Sequence, residues 1–250
     1  MYANNEIGSI EPITELGAIA RKHKIPFHTD AVQAIGNIPI DVKVQNIDML
    51  SLSAHKFYGP KGTGALYIRK GVKIDNLIHG GGQERRRRAG TENIAGIVGL
   101  GKAIELATAD IDGHNRMIRA MRDRLLQGIM EKIPHANLNG HPEKRLPGNI
   151  NVSFEFIEGE SMLLWLDDEG ICASTGSACT SGSLEPSHVL LATGLPVEIS
   201  HGSLRLTLGD VNTDQDIDFV LEVLPKVVSK LRDMSPLYQK SGKEGGCNVQ

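Results

Sequence analysis

A cluster of reactive side chains follows a short apolar run in residues 50–64, LSLSAHKFYGPKGTG. The run predicts a strand over 47–53. Ser53 is at the end of this strand, and His55 and Lys56 follow directly. Asp30 ends another predicted strand, IPFHT, and Gln33 follows Asp30 by three residues. Because sites in open α/β sheets form at the carboxyl ends of strands, we expect these side chains to share one edge. A lysine amine, an imidazole, a hydroxyl and a strand-end carboxylate are the groups that a pyridoxal phosphate site needs.

The residue types also indicate roles in such a site. Lys56 would form the Schiff base, and Asp30 would keep the pyridine nitrogen protonated so that the ring draws electrons. Ser53 and His55 would donate hydrogen bonds to the phosphate. Lys61 is the competing lysine, but it lies further into the turn between Pro60 and Gly62, and Lys56 is the better candidate.

A thiol in an unusual setting is the second candidate for chemistry. The segment STGSACTSGSLEP, residues 174–186, places Cys179 among small residues, with no large apolar side chain before Leu184. Such a segment is not expected to be anchored in a core. Of the other two cysteines, Cys172 begins an apolar run and is expected to be buried and inert, and Cys247 is near the C-terminus. Three cysteines do not make a disulfide framework, and a reducing, cytoplasmic setting is the expectation.

Composition excludes several function classes. The chain has 250 residues, of which 40% are apolar and 23% charged, and its net charge is −3. We therefore expect no nucleic acid or membrane partner. Four consecutive arginines, 85–88, have no aromatic platform beside them, and a solvated or dimer-lining loop is the better interpretation. No apolar run is long enough to cross a bilayer, and the N-terminus lacks the features of a signal peptide.

Periodicity predicts an α/β chain in two parts. We assign residues 1–108 to part of a larger domain with a partial, mainly parallel central sheet. Residues 109–238 are assigned to a smaller α+β domain, and 239–250 to a flexible tail. The predicted helices cover 13–23, 94–109 and 111–133, and further strands cover 64–70, 148–156 and 201–209.

The stretch from Asp210, DVNTDQDID, resembles a calcium-binding EF-hand loop. Its sixth position is Gln215 and its twelfth is Leu221, so the required turn glycine and bidentate glutamate are missing. We interpret Thr213 and Asp216 instead as the capping box of a C-terminal helix. Pro225 is expected to interrupt that helix.

Five motifs in order resemble one enzyme family. They are NNEIG, HTDAVQAIG, LSAHKFYGPKGTGALYIR, HGGGQERRRRAGTEN and STGSACTSGSLEPSHVL, and the similarity extends from residue 1 to about 238. They resemble the cysteine desulfurases of the NifS/IscS type, which are fold-type I pyridoxal phosphate enzymes. The resemblance implies a homodimer that converts L-cysteine to L-alanine and passes sulfur, through a persulfide on the enzyme, to an iron–sulfur scaffold or another acceptor protein.

The resemblance also implies roles for residues at the cofactor. Lys56 would hold pyridoxal phosphate covalently, with His55 beside it, and Asp30 would pair with the pyridine nitrogen. Gln33 and Asn5 would bond the ring hydroxyl region. Ser53 and His55 would help to hold the phosphate, which Thr91 of the other subunit would also reach.

Two further residues are implied at the substrate, and no metal is implied. Arg205 would bind the substrate carboxylate, a role for which a guanidinium fork is suited. The alternative is a strand arginine paired with a structural acid. Cys179 would be the nucleophile that receives sulfur.

The resemblance begins at an internal position of family members. The loop that clasps the phosphate and the histidine that stacks on the ring have no counterpart here. We therefore expect a truncated gene product, a fragment, or a chain completed by a separate polypeptide. Two other interpretations remain open: another fold-type I enzyme of the aminotransferase kind, and a non-catalytic remnant that binds a scaffold or a full-length subunit.

Overall fold

The computed structural model describes residues 1–176 and 186–239, and the chain divides into two compact units. Unit 1 comprises Met1–Asn4 and Ile10–Gly113, and unit 2 comprises Asn5–Ser9 and the chain from His114 onwards. The chain therefore enters unit 2 for five residues near its beginning, returns to unit 1, and enters unit 2 again in a long helix.

Unit 1 is built on a mixed three-stranded sheet in the order β1-β2-β3. β1 and β2 are parallel, and β2 and β3 are antiparallel. The elements are α1 (Ile13–Lys22), β1 (His28–Asp30), β2 (Met49–Ser53), a 3₁₀ turn (Ala54–Phe57), β3 (Gly64–Ile68), β4 (Gly82–Gln83), a second 3₁₀ turn (Glu84–Arg86), β5 (Arg88–Ala89) and α2 (Ile94–Thr108).

The two faces of this sheet differ in polarity. Thr29 and Leu50, paired across β1 and β2, are buried, whereas their neighbours His28 and Asp30 are exposed. Successive strand residues point to opposite faces, so the strand sequences direct one apolar face to the core and one polar face outward. The core of the unit consists of Tyr2, Ile13, Ala31, Ala34, Ile47 and Leu50.

Helix α2 has an apolar sequence but little buried surface. It begins after Asn93, whose side chain accepts a hydrogen bond from the Gly96 N–H at 3.1 Å. Gly96 is its buried residue, whereas Ile94, Ile97 and Val98 are exposed. This helix therefore gives unit 1 an exposed apolar face.

Unit 2 is an antiparallel sheet packed with helices, and its strands lie in the order β6 (Ala136–Leu138), β7 (Asn149–Phe154) and β8 (Ser203–Thr207). All six residues of β7, the central strand, are buried. Its core includes Ile118, Ile150, Phe154 and Leu224, in agreement with the predicted α+β class. The elements are α3 (Ile111–Lys132), β6 (Ala136–Leu138), β7 (Asn149–Phe154), α4 (Gly159–Asp168), α5 (His188–Ala192), α6 (Val197–Ser200), β8 (Ser203–Thr207) and α7 (Asp214–Met234).

The start of α7 confirms the predicted capping box. Thr213 Oγ1 accepts from the Asp216 N–H at 3.4 Å, and the Thr213 N–H donates to Asp216 Oδ2 at 2.8 Å. This hydrogen bond from the Thr213 backbone is the main cause of a lowered pKa of the Asp216 carboxyl.

The predicted interruption of α7 at Pro225 is wrong, because the helix continues through it. A proline has no N–H, so the carbonyl four residues earlier, Leu221 O, has no helical donor. Lys132 Nζ, from α3, donates to that oxygen at 3.1 Å. A side chain therefore replaces the backbone donor that proline removes.

We expect Asp216→Ala to lower the stability of unit 2 at neutral pH, with the deficit shrinking in acid. The folded-state pKa of Asp216 lies below its unfolded value, so the stabilisation is complete above the unfolded pKa. It is lost as pH falls through the folded pKa. Urea unfolding followed by fluorescence of Trp165, the one tryptophan, measures the difference between pH 7 and pH 2. Asp216→Asn, which keeps an acceptor without the charge, is the control, and a deficit independent of pH would contradict the assignment.

Candidate functional site

The predicted edge cluster of unit 1 lies where β1 and β2 end. Asp30 is the last residue of β1 and pairs with Ser51, and Ser53 ends β2 two residues further on. Because β1 and β2 are parallel, their carboxyl ends lie at the same edge of the sheet. Asp30, Ser53 and the residues after Ser53 are therefore neighbours on one edge of unit 1.

These side chains also share the polar face of the sheet. His28 Nε2 and Ser51 Oγ are 2.7 Å apart and share a hydrogen bond. Ser53 Oγ and His55 Nδ1 share another of 2.7 Å. The sequence interpretation did not single out His28 or Ser51. The alternation His28-x-Asp30 and Ser51-x-Ser53 could have identified them, since residues two apart in a strand face the same side.

A short 3₁₀ turn presents His55 and Lys56 beyond the end of β2. Ala54 and Phe57, at its two ends, are buried, whereas His55 and Lys56 between them are exposed. The Ala54 N–H donates to Thr63 O at 3.0 Å, which fixes the start of the turn. The turn therefore holds an amine and an imidazole in solvent on an anchored backbone.

The remaining predicted residues of unit 1 lie in the loops after strands. Asp30 is exposed, and its Oδ1 accepts from the Val32 N–H at 2.9 Å. Gln33 is half-buried in the turn that follows. Thr91 is exposed and precedes Asn93, the N-cap of α2.

In unit 2, Asn5 lies in a segment whose backbone is bonded by side chains of the sheet. Arg205 Nη1 donates to Asn5 O at 3.0 Å. Asn149 and Asn151 of β7 both donate their Nδ2 groups to Glu6 O, at 3.2 and 3.1 Å. The carbonyls of the next two residues, Ile7 and Gly8, accept from Arg145 Nη2 at 3.2 Å and from the Leu146 N–H at 2.9 Å.

Arg205 is fixed by its backbone as well as by its side chain. It is half-buried in β8, where it pairs with Asn151. On the other side its N–H donates to Ser174 O at 2.6 Å, and its carbonyl accepts from the Ser174 N–H at 3.2 Å. Its guanidinium is bonded to the Asn5 carbonyl, and a contact with a substrate carboxylate stays a prediction.

Arg145 is a charged group inside unit 2 that the sequence did not reveal. Its side chain, 1% exposed, donates to the carbonyls of Ile7, Asn139, His141 and Asn149 and to Asn149 Oδ1 at 3.2–3.4 Å. Burial lowers the pKa of Arg145 to about 10, so the guanidinium remains charged at neutral pH. Carbonyl oxygens therefore compensate a charge that has been removed from water.

Of the three cysteines, Cys172 is among the residues that the structure describes. Cys179 and Cys247 lie outside the described residues. The prediction that Cys172 is buried is wrong, because its thiol is exposed. Ile171, the preceding residue, takes the buried position, and Cys172 lines a groove of about 450 Å³ together with Leu163, Leu164 and two acidic residues of α4.

Residues 1–176 and 186–239 contain no group of three or more His, Cys, Asp or Glu side chains that could hold a metal ion. Among the helices of those same residues, none has both the length and the apolar character that crossing a membrane requires.

Comparison with known proteins defines the class. The profile of the aminotransferase class-V family matches residues 1–220, and the chain belongs to this family. A NifS-like protein from Rickettsia africae has the same fold, with a TM-score of 0.84 at 33% identity over 91% of this chain and 60% of that structure. The predicted fold-type I class is therefore confirmed.

Curated relatives are cysteine desulfurases. The chain is 68% identical over 240 residues to cysteine desulfurase IscS of Methanosarcina thermophila, covering 96% of this chain and 59% of the relative. It is 63% identical to cysteine desulfurase IscS of Clostridium botulinum, covering 96% of this chain and 61% of the relative. The chain thus spans about 60% of the length of the relatives it matches.

We expect Arg145→Met to destabilise unit 2 strongly, because it leaves several buried carbonyls without donors. Each buried acceptor left without a partner costs about 1–3 kcal/mol, so we expect a total loss of at least ~3 kcal/mol. Urea unfolding followed by Trp165 fluorescence measures the loss. Arg124→Met is the control: Arg124 forms exposed ion pairs with Asp214 and Asp218, and such pairs contribute below ~1 kcal/mol. Equal losses in the two variants would refute the role of Arg145.

Proposed function

We propose that this chain is a pyridoxal phosphate-dependent cysteine desulfurase, which converts L-cysteine to L-alanine and supplies sulfur for iron–sulfur cluster assembly. The observation that supports this most directly is the exposed Lys56 amine beside the Ser53–His55 hydrogen bond, at the edge where Asp30 ends the neighbouring parallel strand. The names of the relatives that are 63–68% identical agree with it.

The groups at this edge of unit 1 fit the cofactor. Lys56 offers an exposed amine for covalent attachment, and the exposed Asp30 carboxylate suits a protonated pyridine nitrogen. Ser53 and His55 offer a hydroxyl and an imidazole for phosphate oxygens, and Gln33 offers an amide for the ring hydroxyl. When bound, pyridoxal phosphate withdraws electrons from the bonds of the substrate α-carbon.

Other residues would complete these contacts. Asn5 would bond the ring hydroxyl region, and Thr91 would reach the phosphate bound by the partner subunit of a homodimer. In this proposal residues 1–108 are the C-terminal portion of the cofactor-binding domain, and 109–238 form the small domain.

The substrate would be held and deprotonated by two side chains. Arg205 would bind the α-carboxylate through its guanidinium, whose planar fork matches a carboxylate. Lys56 would move the α-proton with its amine. Lysine suits this second role because its ammonium is a compact group whose pKa changes readily with its surroundings.

Sulfur transfer would use the Cys179 thiolate. Its sulfur would attack the sulfur of the substrate, so that an S–S bond forms while the substrate Cβ–S bond breaks. Two thiol hydrogens enter the step: one remains on the persulfide, and the other ends on the methyl group of alanine. His55 would accept the Cys179 proton, since a free thiol with a pKa of about 8.5 is mostly protonated at neutral pH.

The persulfide would then be passed to an iron–sulfur scaffold or another acceptor protein. We place this transfer in the cytoplasm, in agreement with the low cysteine content of the chain.

Incubation of the chain with pyridoxal phosphate, followed by borohydride reduction and peptide mass analysis, tests Lys56. We expect one adduct on Lys56, because its amine is exposed on an anchored turn beside the phosphate-binding groups. Lys56→Ala should abolish the adduct. Lys61→Ala, which alters the nearby lysine, should retain it. Absence of any Lys56 adduct would show that this chain is not a self-sufficient enzyme.

Sulfide release from L-cysteine tests Cys179. We expect Cys179→Ala to abolish sulfide release while the Lys56 adduct still forms, because the thiol acts only after the cofactor is in place. Cys172→Ala is the matched control and should keep its activity. Continued desulfuration by Cys179→Ala would overturn the assignment. If the native chain catalyses transamination but releases no sulfide, the result favours an aminotransferase.

A further inference from the structure

Glu6 is a buried carboxylate with no assigned role, and it lies against two distant parts of unit 2. Its side chain is 2% exposed. Ser187 Oγ donates to Glu6 Oε2 at 2.5 Å. On another side, a Cβ added to Gly176 would lie 3.8 Å from the same Oε2, so a side chain at this position would contact the carboxylate. Gly176 and Ser187 flank residues 177–185.

The backbone of Glu6 is fixed independently of this carboxylate. Two amide groups on β7, from Asn149 and Asn151, donate to the Glu6 carbonyl. Since both donors belong to the fully buried central strand, Glu6 projects its carboxylate from a rigid base. A group placed this way can fix other segments rather than follow them.

Ser187 uses its hydroxyl as an acceptor and as a donor. It is the N-cap of α5, and its Oγ accepts from the Val189 and Leu190 N–H groups at 3.2 and 3.3 Å. Capping requires only the acceptor function. Donation to Glu6 directs the hydroxyl proton away from these two N–H groups and joins the start of α5 to Glu6.

The other flank has its own attachments to β8. Ser203 Oγ donates to Thr175 O at 2.7 Å, and Ser174 forms both backbone bonds with Arg205. Ser174 Oγ also donates to Gly176 O at 3.0 Å. This flank is therefore held beside Arg205 by its own bonds, and Gly176 lies next to the Glu6 carboxylate.

We infer that Glu6 is a positioning residue: its carboxylate is bonded to Ser187 and lies beside Gly176, and it thereby keeps the first of these flanks of residues 177–185 in place next to the second. Its relevance to the reaction rests on the proposed function, because those residues include Cys179. Glu6 need not touch substrate or cofactor for this role. The role requires an acceptor oxygen at the distance from the backbone that a glutamate side chain provides. The length of the side chain should therefore matter more than its charge.

Hydrogen–deuterium exchange on the full chain tests the inference without any turnover. We expect Glu6→Ala to raise exchange at least about tenfold in peptides covering Gly176 and Ser187–Leu190. Peptides of β7 and α3 should keep native exchange. Glu6→Gln, which keeps the length and an acceptor oxygen, should restore protection, whereas Glu6→Asp, one methylene shorter, should not. Glu143→Ala, an exposed acid of the same unit, is the control.

Two results would overturn the inference. One is native exchange at both flanks in Glu6→Ala. The other is faster exchange throughout unit 2 with equal behaviour of the Gln and Asp variants, which indicates a general structural role. If Glu6→Ala does not fold, Glu6→Asp alone decides between local and general loss of protection.

Activity separates this inference from the proposed function. In a desulfurase, turnover should fall about tenfold in Glu6→Ala and recover in Glu6→Gln. If the native chain releases no sulfide but the flank exchange follows the predicted order, the positioning role stands and the proposed function fails. If turnover is normal in Glu6→Ala and exchange is unchanged, the positioning role fails alone.

Discussion

Unit 2 depends on one constraint: the four consecutive backbone carbonyls of Asn5–Gly8 must each receive a hydrogen bond. This segment is neither helix nor strand, so its own backbone cannot supply donors. Buried carbonyls without donors are costly, and nearly all are paired in native proteins. Here each accepts from the rest of unit 2, three of them from side chains and one from the Leu146 N–H.

This arrangement explains why polar residues occupy the interior of unit 2. Asn149, Asn151 and Arg145 would be unfavourable in an apolar core, and each is buried. They are tolerated because the irregular segment offers them acceptors at hydrogen-bond distance. The same network reaches Arg205 through Asn5 and Ser187 through Glu6, so the scaffold and the residues proposed for substrate binding share one set of contacts.

Local sequence patterns predicted the parts of the structure that depend on neighbours in the chain. The strands ending at Asp30 and Ser53 followed from short apolar runs, and the capping box at Thr213 and Asp216 followed from spacing alone. His28 and Ser51 lie within the same two strands, but an apolar run that predicts a strand does not indicate which of its polar residues bond to each other.

Features that depend on distant residues could not be predicted in this way. The continuation of α7 through Pro225 requires Lys132, 89 residues before the carbonyl to which it donates. The acceptor of Asn149 and Asn151 lies more than 140 residues earlier, and no periodicity in NNEIG predicts these hydrogen bonds. Family motifs assigned Cys179 a role, but that residue lies outside the described part of the chain.

The placement of Asn5–Ser9 makes unit 2 sensitive to changes in a segment that lies more than 100 residues before the rest of the unit. Removal of residues 1–10 would delete no helix or named strand. It would nevertheless take from β7 and β8 the oxygens to which their buried amide and guanidinium groups donate. Expression of residues from His114 onwards as a separate product would have the same effect, because unit 2 is not formed by one continuous stretch of the chain.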